Sequence, residues 1–269
     1  MTDFTLSPRL TAVARFVLPG LPVADIGTDH AYLPIVLVQA GAVPSAIATD
    51  IGAGPLAAAR RSVAEAGLSD AVDIRVGSGL TVLRPGEAGT IVIAGMGGYL
   101  IRDIIAAAPH VATASRRLVL QPMRDAATLR RWLWTHGWAL AGEALASEGE
   151  RYYAIIAAER PRAAGHDQTP GAQAACDAAM ASRIARAAGI GDALAAQLGP
   201  LVIARRDPLL LSLVDRELAL TADLSARIEQ SLAAAGRTPG ARRRQASLAR
   251  RQDELLSLRR WLLATAEIS

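Results

Sequence analysis

The chain has 269 residues, of which 51% are hydrophobic and 20% charged, enough to bury the core of one large domain with a smaller appendage. No run of about 20 apolar residues is free of charges, and the first residues lack a basic-then-apolar leader, interrupted as they are by Asp3, Pro8 and Arg9; a membrane span is not expected and the cytoplasm is. The formal net charge is +4, and the lone Cys176 excludes an internal disulfide and a cysteine-built metal cluster, so no metal is expected.

In chain order, residues 1–160 alternate short apolar runs with amphipathic stretches, the pattern of a parallel sheet covered by helices. Leu6–Val17 reads as a leading helix. Strands are predicted at Val23–Ile26, Ala46–Thr49, Val72–Val76, Thr90–Ala94 and Leu118–Gln121, with helices between them at Leu33–Ala40, Pro55–Ala66, Tyr99–Ala107 and Ala126–His136. Pro55 suits a first helical turn, where its missing N–H costs little. Trp138–Ala146 and Tyr152–Ala158 follow, separated by Glu148-Gly149-Glu150, a spacing that predicts an antiparallel hairpin closing the sheet. Five crossover strands and a hairpin give an α/β, Rossmann-like sheet of seven strands, a count shared with several other doubly wound folds.

Pro161, Gly165, Pro170 and Gly171 break an Ala-rich run over 161–190, read as a linker or a loosely helical insert. From Pro208 onward Leu211, Val214, Leu218, Ile228 and Leu232 keep a heptad-like spacing, weakened at Thr221 and Ser225. Gly236-Arg237-Thr238-Pro239-Gly240 marks a turn, and Leu248, Leu255, Leu258 and Leu262 resume the spacing. Either these two helices form an antiparallel, coiled-coil-like hairpin or they pack on the core as ordinary helices. The domain plan is thus 1–160, a linker or insert over 161–207, and a helical part over 208–269. Residues 1–159 carry 13 Arg against 14 acids, whereas 160–269 carry 16 Arg against 11 acids. The basic excess sits in the C-terminal part, either to grip a polyanion or as a solvated helix surface.

In such folds ligands lie at the carboxyl ends of the strands. The loop after the first strand reads Asp25-Ile26-Gly27-Thr28-Asp29-His30-Ala31-Tyr32-Leu33-Pro34. A dinucleotide site would want G-x-G-x-x-G to seat a pyrophosphate; one glycine among acids repels phosphate and suits a cation. S-adenosylmethionine offers an ammonium and a sulfonium, so Asp25 is a plausible partner, or else an acid that caps the next helix. Asp50, followed by Ile51-Gly52, ends the second strand where an acid accepts ribose hydroxyls; a nicotinamide-dependent oxidoreductase would share that feature, and only the first loop argues against it. Gly77-Ser78-Gly79-Leu80 would lie beside an adenine, with Ser78 and backbone amides as hydrogen-bonding groups and Leu80 as an apolar face, or form a tight turn only. At the fourth strand's end, the glycines of Ala94-Gly95-Met96-Gly97-Gly98 would clear space for a flat base or cofactor, with Met96 packing against it. No general base is evident there. Gln121, before Pro122 and Met123, either bonds a substrate edge or is a satisfied loop amide.

These motifs resemble the TrmK-type family of bacterial tRNA (adenine(22)-N(1))-methyltransferases. The likeness lies in Asp25–Pro34 (DIG-x-DHAYLP), Ile93–Gly98 (IAGMGG) and Leu120-Gln121-Pro122, continues through Arg151-Tyr152-Tyr153, and extends to Leu198-Gly199-Pro200-Leu201 and Asp207-Pro208-Leu209. It implies a seven-stranded class I methyltransferase domain with a helical coiled-coil domain, S-adenosylmethionine as cofactor and tRNA as partner. It also implies acceptor-side roles for Asp29 (charge), His30 (hydrogen bonding) and Tyr32 (stacking), and cofactor contacts from Asp25, Gly27, Asp50, Ile51, Gly77, Ser78, Gly79, Leu80, Gly95, Met96 and Gly97. Without the resemblance, His30 reads equally as a capping or packed residue. Arg242-Arg243-Arg244 and Arg250-Arg251 would hold the tRNA backbone. Two positions depart from the family: Met123 stands where Asn is usual, and Ala154 where an acid is usual. Alternatives are a methyltransferase on another acceptor and a non-catalytic RNA-binding protein that retains the cofactor pocket.

Overall fold

The computed structural model describes residues 4–160, 170–235 and 239–264. Strands β1 (Val23–Ile26), β2 (Ala46–Asp50), β3 (Val72–Val76), β4 (Thr90–Gly97), β5 (Arg117–Arg124), β6 (Ala139–Glu148) and β7 (Arg151–Glu159) form one sheet. Their order is β3-β2-β1-β4-β5-β7-β6. The first five run parallel, and β7 inserts antiparallel between β5 and β6. The central strands are buried on both faces, which is why they read as unbroken apolar runs: all four residues of β1 are buried, as are Ile91–Ile93 and Leu118–Leu120. Because β1 pairs with β2 on one side and β4 on the other, the strand order reverses there, leaving a crevice at their carboxyl ends.

Helices α1 (Pro8–Ala14), α2 (Tyr32–Gln39), α3 (Ala53–Glu65), α4 (Gly98–Ala107), α5 (Pro109–Ala114) and α6 (Ala126–Thr135) connect these strands. Ser7 caps α1, its Oγ accepting from Leu10 N at 3.4 Å, with Pro8 in the first turn. The short helix α5 was not among the predicted elements; Pro109 opens it directly after Ala108, where α4 ends. Strands β4 and β5 each run three residues past their predicted ends, because Met96 and Gly97 continue to pair with Pro122 and Arg124 across two register shifts. Helix α6 is tied to β6 by a fully buried ion pair, Arg130 Nε to Glu143 Oε1 at 2.6 Å, with both side chains at 0% exposure.

The chain divides into two compact units, Met1–Ala178 and Ala179–Ser269. The segment expected to be a linker or a loosely helical insert carries three helices among the described residues: α7 (Pro170–Ala187), α8 (Asp192–Leu198) and α9 (Pro200–Ala204). Within the second unit α10 (Leu210–Ala235) and α11 (Pro239–Ala264) are antiparallel neighbours. Arg259 pairs with Asp215 at 2.7 Å, Arg251 with Glu217 at 2.6 Å, and Gln245 donates to Glu229 at 3.1 Å, an order that fixes the antiparallel sense. Leu210, Val214, Thr221, Leu255 and Leu258 are buried, whereas Leu220, Leu224, Leu256 and Leu263 are exposed. The seam therefore follows the predicted spacing at Val214, Leu255 and Leu258. Residues 236–238 of the predicted turn, residues 161–169 of the insert, and the side chains of Leu232 and Arg242 lie outside the described residues.

Candidate active site

Asp25 stands at the mouth of the crevice as a buried acid, 8% exposed. Burial pushes its carboxyl up to about 6 and the nearby Asp50 charge adds to this, while a hydrogen bond from Thr28 and the Arg9 cation oppose it. The loop beyond is pinned to β2: Gly27 N and Thr28 N donate to Thr49 O at 2.7 and 2.9 Å. Gly27 takes φ +79°, and a Cβ there would lie 2.1 Å from Met96 Cε, so the first and fourth loops meet at this point. Thr28 Oγ1 then accepts from Ala31 N at 3.1 Å, and the buried Ala31 adopts a left-handed φ of 57°.

That turn brings Asp29, His30 and Tyr32 together on the outer lip. His30 Nε2 lies 3.5 Å from Asp29 Oδ2, with side-chain exposures of 43% and 77%. The His30 ring stacks on Tyr32 with centroids 5.1 Å apart and planes 17° apart, and Phe4 tilts against the same tyrosine at 5.8 Å. Tyr32 is 39% exposed.

At the end of β2, Asp50 Oδ1 accepts from Gly52 N at 2.6 Å, which orients the carboxylate, and Gly77 N donates to Asp50 O at 3.0 Å. Ile51 and Val76 are prominently exposed beside it. Ser78 O accepts from Thr81 Oγ1 at 2.7 Å, shaping the Gly77–Gly79 loop into a 3-10 turn over Gly79–Val82. Leu80 differs from expectation. It is only 1% exposed and turned into the core, so it offers no surface there; the exposed apolar side chain beside this loop is Val76, which ends β3.

The glycines of the fourth loop also divide by role. Around Gly95 the space is open, with Arg9 Nη1 at 3.9 Å the nearest atom to an added Cβ. At Gly97 a Cβ would meet the Arg124 side chain at 3.3 Å, and at Gly98 the backbone oxygen of Asp125 at 2.7 Å. Of these three, Gly95 alone has open space beside it, whereas the close approach of the β5–α6 turn leaves no room for a side chain at Gly98. Gly98→Ala is accordingly expected to cost about 2 kcal/mol of stability, read from the urea midpoint, because rigid backbone cannot yield as a side chain can.

Arg9, from the leading helix, enters the crevice as well, a residue that nothing in the sequence marked. Its Nη1 donates to Gln121 Oε1 at 2.7 Å, and that oxygen also accepts from Gly95 N at 3.0 Å. Met123 lies next to Gln121 and is 45% exposed. Ala154, on the neighbouring β7, is half-buried and brings no charge.

The edge thus presents two acids, an apolar shelf at Ile51 and Val76, and an aromatic lip. Such a donor set suits a ligand with a cationic amino-acid end, a ribose and a flat base. The carboxylates of Asp25 and Asp50 fit an ammonium and paired hydroxyls, and nothing among the described residues at this edge resembles a seat for a pyrophosphate.

A model of the methyltransferase domain matches residues 6–156. The tRNA (adenine(22)-N(1))-methyltransferase of Bacillus subtilis (strain 168) is 42% identical over 159 residues, covering 59% of this chain and 67% of the relative. The crystal structure of the B. subtilis M1A22 tRNA methyltransferase TrmK aligns with a TM-score of 0.75 at 32% identity, covering 96% of this chain and 100% of that one. Streptococcus pneumoniae Sp1610, crystallised in complex with S-adenosyl-L-methionine, aligns with a TM-score of 0.70 at 27% identity, covering 96% and 100%.

Proposed function

The chain belongs to the TrmK-type family of tRNA (adenine(22)-N(1))-methyltransferases, and from that membership we propose how its residues move a methyl group from S-adenosylmethionine to N1 of an adenine in tRNA. The observation that carries the assignment of roles is the buried Asp25 carboxyl set close to Asp50 at the β1/β2 edge, two negative groups where a dinucleotide enzyme would need a phosphate seat. Asp25 faces the ammonium end of the cofactor. Asp50, held by Gly52 N, accepts the ribose hydroxyls, and Ile51 and Val76 flank the adenine with the backbone of Gly77, Ser78 and Gly79 along its edge. Gly95, Met96 and Gly97 border the space between donor and acceptor. When bound, S-adenosylmethionine supplies an electrophilic methyl on a sulfonium.

The adenine N1 lone pair is itself the nucleophile, so the protein has no proton to remove before transfer. The acceptor base must leave its stack, which costs a few kcal/mol recovered by pocket contacts. Tyr32, backed by His30 and Phe4, gives that base a face to stack on, and Asp29 opposes the positive charge that develops on the ring. Orientation and electrostatics therefore do the catalytic work. Position 22 is the site named for the B. subtilis relative, and it is proposed here as well.

Arg243, Arg244 and Arg250 on α11 are exposed and free to meet phosphates, whereas Arg251 is held by Gln197 and Glu217 at 2.8 and 2.6 Å. With about three phosphate contacts, tRNA affinity is expected to fall about tenfold between roughly 50 and 150 mM salt, as a filter-binding titration would show. No helix among the described residues is long and apolar enough to cross a membrane, and placement in the cytoplasm, with tRNA, is part of the same reading.

The test is a labelled-methyl transfer to unmodified tRNA, followed by nucleoside analysis and mapping of reverse-transcription stops. N1-methyladenosine at one position is expected. A methyl on another atom would move the acceptor assignment, and S-adenosylhomocysteine binding without transfer to any tRNA would favour a non-catalytic RNA-binding protein.

A further inference from the structure

Gln121 is fully buried, at 0% exposure, in the carboxyl half of β5. Its Oε1 accepts from Arg9 Nη1 at 2.7 Å and Gly95 N at 3.0 Å. Two donors on one oxygen decide which end of the amide is which. Turned over, the amide would set its –NH2 against a guanidinium and a backbone N–H, three donors with no acceptor among them. Nε2 is thereby directed the other way, and its partner is Met123 Sδ at 3.6 Å. A thioether is among the weakest acceptors in proteins, and Met123 is half-exposed on an unbranched, adaptable stem. A buried donor is thus locked in one orientation and covered by an acceptor that is easily displaced.

Arg9 is itself held firmly. Its backbone N donates to Glu148 Oε1 at 3.0 Å, its Nε lies 3.9 Å from Glu148 Oε2, and its guanidinium sits 5.7 Å from the centre of the Tyr153 ring. The Glu148 carboxylate offsets the arginine charge, so a base that becomes cationic does not face an uncompensated cation.

We propose that Gln121 Nε2 is the donor that orients the acceptor purine, that Arg9 is the positioning residue that keeps that end of the amide a donor, and that the Met123 thioether is a placeholder the base displaces. The proposal rests on the adenine-N1 reading above. In that reading N1 must keep its lone pair for the methyl group, so the donor serves another ring nitrogen and thereby orients N1 without competing for it. It also gives Met123 a role at the position where the chain departs from the family pattern.

The test uses the full chain and unmodified tRNA, with wild type, Q121E, R9A and R9K in parallel. In Q121E the carboxylate keeps both bonds to Arg9 and Gly95 and presents an acceptor where the donor stood. Its S-adenosylhomocysteine affinity should stay near wild type while kcat/KM for tRNA, referred to the folded protein, falls about tenfold. For R9A, kcat should fall about fivefold with little change in KM for tRNA, and R9K should restore most of it. Q121E at wild-type kcat/KM would overturn the proposal, as would an R9A protein whose folded fraction turns over at the wild-type rate. An inert wild type would instead remove the underlying reading, and the proposal with it.

Discussion

Asp25→Asn is expected to raise the melting temperature of the ligand-free protein at neutral pH while weakening S-adenosylhomocysteine binding roughly 30- to 100-fold. Both halves follow from one buried carboxyl. Its native value is about 6 against an ordinary 3.8, so between those pH values the folded chain holds a proton that the unfolded chain has released. Stability therefore falls as pH rises through that window, and above it the folded state carries the full penalty, about 3 kcal/mol for a shift of this size. Asparagine has no charge to desolvate and should relieve that penalty, flattening the pH dependence of the melt between about pH 4 and 6. The same ionised carboxylate is what an ammonium group needs. Wild-type affinity should accordingly strengthen as pH rises through about 6, and the asparagine variant should show no such step. Melts at pH 5 and 7.5, paired with calorimetry at the same values, would decide it. An asparagine variant that melts lower at pH 7.5 and still binds normally would make Asp25 a structural acid for Thr28 and Arg9.

The features legible in the sequence are those in which a local pattern and the global fold agree. Val23–Ile26, Ile91–Ile93 and Leu118–Leu120 are buried on both faces of a parallel sheet, so their apolar runs announce them, and Asp25 and Asp50 stand out as acids within or at the end of such runs. The Glu148-Gly149-Glu150 break between two alternating segments likewise foretells the β6–β7 hairpin. What stayed hidden depends on long-range approach. Arg9 and Gln121 are 112 residues apart, and no spacing rule connects a leading helix to the fifth strand. Arg130 and Glu143 read as ordinary charges of an amphipathic helix and a strand, yet they form a fully buried pair. Composition cannot separate Gly95, which opens the crevice, from Gly98, whose missing side chain makes room for the Asp125 carbonyl. Leu80 was assigned to the ligand by its neighbours in sequence, whereas the 3-10 turn rotates it into the core and leaves Val76 outside.

Asp50→Ala should be the most damaging single change to cofactor affinity, about 100-fold or somewhat more for S-adenosylhomocysteine, since a carboxylate that accepts two hydroxyls contributes about 1.5 to 3 kcal/mol through each charged hydrogen bond, less the water it displaces. Truncation also removes the acceptor of Gly52 N, the 2.6 Å bond that shapes the turn into α3. Asp50→Asn keeps an oxygen for Gly52 while losing the charge, so it should fall between alanine and wild type and separate turn geometry from ribose recognition. Asp50 has a second effect, because its charge is one of the causes that raise Asp25. Without it the Asp25 carboxyl should titrate lower, and the pH midpoint of the remaining cofactor binding should move down with it. The two acids are therefore coupled: removing either relieves part of the repulsion felt by the other. Their combined effect on ligand-free stability should be less than the sum of the separate ones, which a double-mutant cycle on Asp25→Asn and Asp50→Asn would measure directly. Strict additivity in that cycle would mean that the two carboxylates do not sense each other, and the crevice would then be two independent acidic contacts instead of one charged seat for a cationic ligand.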